Sequence, residues 1–202
     1  MNCDFFKCPR GRPKTFNREH VLDVAMQAYR LEGVDSVSVN AICKKASVSK
    51  PGLYREFNNE DGLMHAVLAH YETKVLTPMY QMLASDTPFQ EKLDKIVAFT
   101  TGKDNDQQAN HGCLMVIMRQ ARSHLGQGAQ EQVTHIHQRV LKAYQDWFER
   151  SKKDGQFTTG MDSKLAASYI DTQIHCALSQ LAQGEKKKTV KDVLTLSFSV
   201  LV

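Results

Sequence analysis

The chain is predicted to be all-α, with an N-terminal three-helix head followed by a C-terminal antiparallel helical body. Three observations predict this. Residues 38–57 read as two short capped helices joined by a tight turn. Apolar residues recur at three- and four-residue spacing along most of the 202 residues, and no strand alternation recurs. The charge is also divided: residues 1–58 hold ten Lys/Arg against six Asp/Glu, whereas residues 59–202 hold sixteen of each, so the whole net charge of +4 lies on the head.

The elements follow in order. Asn17 is a plausible N-cap for a helix over Arg18–Glu32, whose Leu22, Ala25, Met26 and Tyr29 form a buried stripe, with Gly33 as its C-terminal stop. Ser38 caps the next helix, on which Ile42 and Ala46 share a face. Ser47-Val48 makes the turn. Ser49 caps the following helix, which holds Lys50 and Pro51 in its first turn, where proline is tolerated. Leu53 and Phe57, four apart, pack back toward the preceding helix. Two helices at a steep angle, the second with an outward polar face, describe a helix-turn-helix, and its second helix fits the DNA major groove. Asn58-Asn59 breaks that helix. Glu60-Asp61 opens a longer one carrying Leu63, Met64, Val67, Leu68 and Tyr71, expected to end near Thr77, before Pro78.

The body reads as Phe89–Thr101, a polar loop over Gly102–Asn110, a central apolar segment over Cys113–His124, a long helix Ala129–Lys153, and two final helices over Asp162–Gln183 and Thr189–Val202. The last two are apolar nearly all round. A helix of that kind is buried on several sides, one of which a partner subunit can supply. The plainer alternative is that both lie in a monomer core.

The layout of Phe16, Ala25, Tyr29, Gly33, Ile42, Ala46, Val48-Ser49-Lys50, Leu53-Tyr54, Phe57 and Leu63, preceded by Gly11-Arg12-Pro13-Lys14, resembles the TetR family of one-component repressors. The resemblance covers residues 10–70. It implies a basic arm (1–15), a helix-turn-helix domain (16–62) and a helical ligand-binding and dimerisation domain (63–202). It also implies a homodimer through the last two helices (about 162–183 and 189–202), a palindromic double-stranded operator, and a small-molecule effector that releases the repressor. Three positions depart from the family's pattern. Ser47 stands where glycine is usual, Glu56 where an aromatic or His is usual, and Glu60 where a lysine often approaches a phosphate.

Candidate DNA-binding residues are Arg10, Arg12 and Lys14 on the arm, Ser38 and Asn40 approaching the backbone, and Ser49, Lys50, Gly52, Tyr54 and Arg55 facing the groove. Arg55 is the candidate for a guanine edge, while Lys50 and Tyr54 are placed on phosphates. The arm's cations would make binding fall steeply with salt and suit a minor groove. Candidate ligand residues are Phe99, Cys113, Met115, Met118, Trp147, Tyr169, Gln173 and His175, a mix of apolar surface and a few polar groups.

His111-Gly112-Cys113-Leu114 carries a second reading. A similar Gly-Cys-Leu step occurs in one branch of TetR-type regulators, some of which respond to electrophiles or oxidants. Cys113 would then be a sensing thiol near a helix N-terminus, aided by His111, Arg119 and Arg122 if the fold gathers them. Against this stands a buried cysteine acting as a small hydrophobe, the reading also given to Cys43. A ligand-independent DNA-binding protein is a further alternative.

Other classes find no support. His135/His137 and His175/Cys176 have spacings that diverge on a helix, so no metal or other cofactor is expected. No Gly-x-Ser-x-Gly elbow, phosphate loop or dinucleotide fingerprint occurs, so no catalytic residues are assigned and the chain does not read as an enzyme. No apolar run of about 18 residues or signal core is present. Five scattered cysteines suit reduced thiols, and the expected location is the bacterial cytoplasm, on the nucleoid.

Overall fold

The computed structural model describes residues 16–102 and 113–202. Among them, helices α1 (Arg18–Glu32), α2 (Val39–Ala46), α3 (Lys50–Phe57) and α4 (Glu60–Tyr71) come first. They are followed by α5 (Thr77–Ala84), α6 (Phe89–Thr101), α7 (Leu114–Gln120), α8 (Gln127–Lys153), α9 (Ser163–Ala182) and α10 (Lys187–Phe198). No strand occurs among the described residues, and none of these helices is long and apolar enough to cross a membrane.

Local chemistry starts the head helices. The side chains of Asn17, Ser38 and Ser49 each accept a hydrogen bond from the backbone N–H three residues on, at 3.0, 3.2 and 3.2 Å. Ser47 takes the left-handed conformation (φ 55°, ψ 40°) that a glycine would adopt without cost, so the turn stores ~1–2 kcal/mol of local strain. Val48 offsets part of this by donating its N–H to the Cys43 carbonyl at 3.0 Å. Val21, Leu22, Ala25, Tyr29, Ile42, Leu53 and Phe57 then close a small core.

The helix opened by Glu60 does not stop before Pro78. It passes through a π-helical turn at Glu72–Leu76 and continues as α5 to Ala84. Proline removes one N–H from the helical ladder, and a regular turn would leave its acceptor orphaned. The wider turn absorbs the gap: the Thr77 N–H bonds to the Glu72 carbonyl, and the Thr77 hydroxyl donates to the same oxygen at 3.2 Å.

Helix α4 packs on α1 and α3 on one side and on α8 on the other. The join is reinforced at its first turn. The Asp61 carboxylate accepts hydrogen bonds from the backbone N–H groups of Gly128 and Ala129, both at 2.9 Å, so an acid of α4 caps the N-terminus of α8. Gly126 is required there, because a Cβ would lie 2.4 Å from Asp61 Cγ. A second contact links His124 Nδ1 to Asp35 Oδ1 at 3.0 Å.

In the body, α8 pairs with α9, and α10 packs on α9 and α6. Phe89, Trp147, Phe148 and Phe157 stack at centroid distances of 4.8–5.8 Å and form the distal core. The C-terminus of α5 is closed by charged donors. Lys92 Nζ bonds to the carbonyls of Leu83 and Ser85 at 3.0 and 2.6 Å, and Arg150 to that of Leu83 at 2.9 Å. The last helix runs from Lys187, two residues before the reading from sequence. It tightens into a 3₁₀ turn at Ser199–Leu201, whose Leu201 is fully buried.

Asp61→Ala removes a charged cap from α8 and should lower the unfolding free energy by ~1–3 kcal/mol in urea titrations, with Asp61→Asn costing less because one acceptor survives. A change below about 0.5 kcal/mol for Asp61→Ala would show that the contact carries no net stability.

Candidate nucleic-acid interface and body cavity

The first surface lies on α3. Its apolar side is spent on Leu53 and Phe57, which leaves Lys50 and Arg55 exposed and Tyr54 half-buried. Lys50 Nζ lies 5.5 Å from the Tyr54 ring centroid, so the two form one cation–π unit on the outer face. Ser38 and Ser49 are exposed, but each hydroxyl is already the cap acceptor of its own helix. At Gly52 a Cβ would crowd the Ser49 hydroxyl, meeting its Oγ at 3.0 Å. Asn40 is exposed on α2.

Gly52, Ser49 and Arg55 border a shallow groove with Phe16, Asn17, His20, Ser47 and Val48. Asn17 and His20 come from the start of α1, and only the fold shows that this end of α1 flanks α3. Glu56 does not present a bare charge beside this face: Arg18 Nε holds its carboxylate at 2.9 Å, and the same guanidinium lies over Phe57. Arg10, Arg12 and Lys14 fall outside the described residues, as does His111. Burial pushes the Cys43 thiol pKa up against the opposing pull of Lys50, which agrees with a packing role.

The second feature is a cavity of about 350 Å³ inside the body. It is walled by the α4–π-turn–α5 rod (Tyr71, Val75, Met79, Met82), by α6 (Ile96, Phe99) and by residues of α7, α8 and α9. Of the residues proposed from sequence, Phe99, Cys113, Met115 and His175 lie on its wall. Met118, Trp147, Tyr169 and Gln173 do not. Met118 is fully buried in the core, and Trp147 belongs to the aromatic stack. Tyr169 and Gln173 each stand two residues from Asp171, on the far side of a helix whose 171, 174, 175 and 178 positions face the cavity. The Tyr169 hydroxyl instead donates to the Ser197 carbonyl at 2.9 Å, tying α9 to α10.

One end of the cavity is polar. His137 Nε2 approaches Asp171 Oδ2 at 3.0 Å, and Arg119 Nη1 reaches the same oxygen at 3.4 Å and His175 Nδ1 at 3.4 Å. Burial alone would raise the Asp171 pKa, but the His137 hydrogen bond and the Arg119 charge outweigh it and hold the carboxyl below its usual 3.8. Burial and then Arg119 push His175 below 6.5, so at neutral pH its imidazole is uncharged. None of Arg119, His137 and Asp171 was proposed as a ligand residue from sequence. They sit on three helices, 18 and 34 residues apart, and no local pattern joins them.

At the side of the cavity, Cys113 precedes α7 with Sγ 3.2 Å from the Tyr71 hydroxyl. Burial, reinforced by the neighbouring Cys113, holds the Tyr71 phenol far above 10 and so protonated. Arg122 is not part of this group; it bonds Thr134 Oγ1 at 3.2 Å on the exposed side. Among the described residues, no set of three or more His, Cys, Asp or Glu side chains could hold a metal ion.

A capped helix-turn-helix with an exposed basic second helix, carried on a helical body, defines a DNA-binding regulator. Comparison with known proteins identifies which kind. A family model described as bacterial regulatory proteins, tetR family, matches residues 21–67. The HTH-type transcriptional repressor ComR of Escherichia coli (strain K12) is 40% identical over 65 residues, a stretch that makes up 32% of this chain and 31% of ComR. The HTH-type transcriptional regulator BetI of Stenotrophomonas maltophilia (strain R551-3) is 25% identical over 197 residues, covering 84% of this chain and 98% of BetI. Among solved structures, a cysteine mutant of the TetR family regulator CifR, complexed with 26-base-pair double-strand operator DNA, shares the fold with a TM-score of 0.81. Its identity is 18%, over 95% of this chain and 100% of that one. Residues 21–67 thus carry the helix-turn-helix head described for bacterial regulatory proteins of the tetR family, and the chain as a whole shares the fold of solved regulators of that family.

The electrostatics of the cavity are open to direct measurement. Because His175 resists protonation in the folded state, the unfolded chain takes up that proton first, and stability falls as the pH drops from 6.5 toward the folded value. An NMR titration should give the His175 ring a midpoint below 6.5, and a midpoint at or above this value would contradict the arrangement of Arg119 around it.

Proposed function

We propose that this protein is a homodimeric repressor acting in the bacterial cytoplasm. It holds a palindromic operator through α3 and leaves it when a small, moderately apolar ligand enters the body cavity. The reading divides the chain into a basic arm (1–15), a DNA-binding head (16–62) and a ligand-binding, dimerising body (63–202). One observation carries it: the helical rod whose first part, α4, packs on α1 and α3 also walls the cavity through Tyr71, Val75 and Met79. A ligand that prefers one arrangement of that rod shifts the spacing of two heads on a half-site pair. ComR is named a repressor, and CifR was solved on operator DNA, which supports the same role here.

On the DNA side, Lys50, Tyr54 and Arg55 are assigned the groove face, Ser38, Ser49, Gly52 and Asn40 the backbone and close approach, and Arg10, Arg12 and Lys14 the flanking minor groove. Retained sequences from a random duplex pool, read at two salt concentrations, should contain a palindrome and show a steep salt slope. Arg55→Ala should cost ~1–3 kcal/mol and relax one base position in each half-site. Motif-free binding would mark a ligand-independent DNA-binding protein instead.

Dimerisation is assigned to α9 and α10. Their inward residues, among them Ile170, Leu194 and Phe198, serve the core of the chain. Leu165, Val193, Leu196 and Val200 remain outside it, each about half exposed or more, with Leu196 at 72%. Leu196→Glu is expected to convert the dimer to a monomer in sedimentation equilibrium while leaving helicity intact; an unchanged dimer would move the interface elsewhere.

Cys113 supports a second reading, a thiol-switched repressor, because its residue lies on the cavity wall with its sulfur in hydrogen-bonding reach of the Tyr71 phenol. Operator release by N-ethylmaleimide that is lost in Cys113→Ser would favour it over reversible ligand binding.

A further inference from the structure

The polar end of the cavity is unevenly charged. Five described wall residues are acidic or basic: Lys95, Arg119, His137, Asp171 and His175. Lys95 is paired with Glu91 at 2.8 Å. The Asp171 carboxylate alone serves both His137 and Arg119, and through the same oxygen, Oδ2. His175 stays neutral beside them. Arg119 is therefore the least satisfied charge on the wall. Its contacts with Asp171 and His175 both stand at 3.4 Å, the outer edge of hydrogen-bonding range. A guanidinium carries five donors in a rigid fork, and two long bonds use little of that capacity. The remaining wall is mostly apolar, built from Val75, Met79, Met82 and Ile96 among others, and the Arg119 side chain is two-thirds buried, so a partner charge arriving there is screened less than in open water.

We propose that the cavity takes an organic monoanion, a carboxylate carried on an aromatic or aliphatic body, with the carboxylate set against Arg119. The proposal rests on the reading of the cavity as an effector site and names the chemical class of that effector. About 350 Å³ corresponds to roughly a dozen water volumes, and so to a ligand of about that many non-hydrogen atoms. A carboxylate matches the guanidinium fork with two parallel hydrogen bonds. It also competes with Asp171 for the same cation, so binding draws α7 away from α9 at this point. An ammonium ligand fits poorly, because the only described carboxylate on the wall already serves two basic groups. A neutral ligand of the same shape gains the apolar contacts without satisfying Arg119.

The test uses the full chain without DNA, so that binding is read independently of operator release. The probes are 4-phenylbutyrate, 2-naphthoate and octanoate, each beside its primary amide, with 4-phenylbutylamine as the cationic control, measured by titration calorimetry. At least one carboxylate should bind about tenfold tighter than its amide, and the amine should bind least. Arg119→Gln should erase the preference, and Arg119→Lys should keep part of it. Asp171→Asn, which removes the internal competitor, should tighten carboxylate binding. Melting curves of the three variants identify any that fail to fold, and the other substitutions then carry the comparison. Equal binding of acid and amide, a preference that survives Arg119→Gln, weaker carboxylate binding in Asp171→Asn, or no binding by any carboxylate would each overturn the assignment. The repressor reading would stand through those failures if a neutral compound entered the cavity and released the operator, and it falls only on the DNA measurements.

Discussion

Helix α4 has to serve as core for two packed groups at once, and the rest of the molecule is arranged around that constraint. Leu63, Met64, Val67, Leu68 and Tyr71 are all buried, and the helix that carries them packs on α1 and α3 in the head and on α8 in the body. A helix buried on two sides transmits displacement because neither side can relax alone. Asp61 strengthens the join by capping α8 from the first turn of α4, and Gly126 and Gly128 keep the approach open for it. The exposed face of α3 and the cavity are thus both packed against one continuous helical rod.

That element is interrupted where the cavity begins. The π turn at Glu72–Leu76 reconciles a proline with helical continuity, and Val75 and Leu76 within it and Pro78 and Met79 just after it line the cavity. Arg139 grips the turn through both oxygens of Glu72, at 2.6 and 2.7 Å, which adds a bidentate charged contact from α8. The irregular turn is held from outside by an ion pair and from inside by apolar packing. Beyond it, Asp171 gathers basic groups from α7 and α8 onto α9, so the polar end of the cavity also holds three helices together.

The head was largely legible from its residues, and the reason is local. Asn17, Ser38 and Ser49 bond to N–H groups three residues away, and Leu53 and Phe57 are one helical turn apart, so the evidence for each helix lies within the helix. The strained Ser47 turn was visible for the same reason, as a non-glycine where the chain must turn left-handed. The body was legible as helices but not as a site. Pro78 reads as a stop because proline usually is one, whereas the π turn that accommodates it is held by Arg139, 67 residues from Glu72 in the chain. Met118, Trp147, Tyr169 and Gln173 have the chemistry of ligand residues, yet lie off the cavity wall. Periodicity says that a helix has an inner face, but not which part of that face meets a void.

The sequence by itself determined the all-α class, the capped helices of the head and the exposed basic face of α3. It also carried enough of the family pattern for the regulator to be recognised. These depend on hydrogen bonds and periodicities that span a few residues. Only the tertiary structure decided that Asp61 would cap a helix 67 residues away, that Arg18 would neutralise Glu56, and that Arg119, His137, Asp171 and His175 would meet at one end of a cavity. Those contacts arise from how helices cross. Crossing is set by the packing of all the buried side chains together, a property that no short stretch of the chain contains.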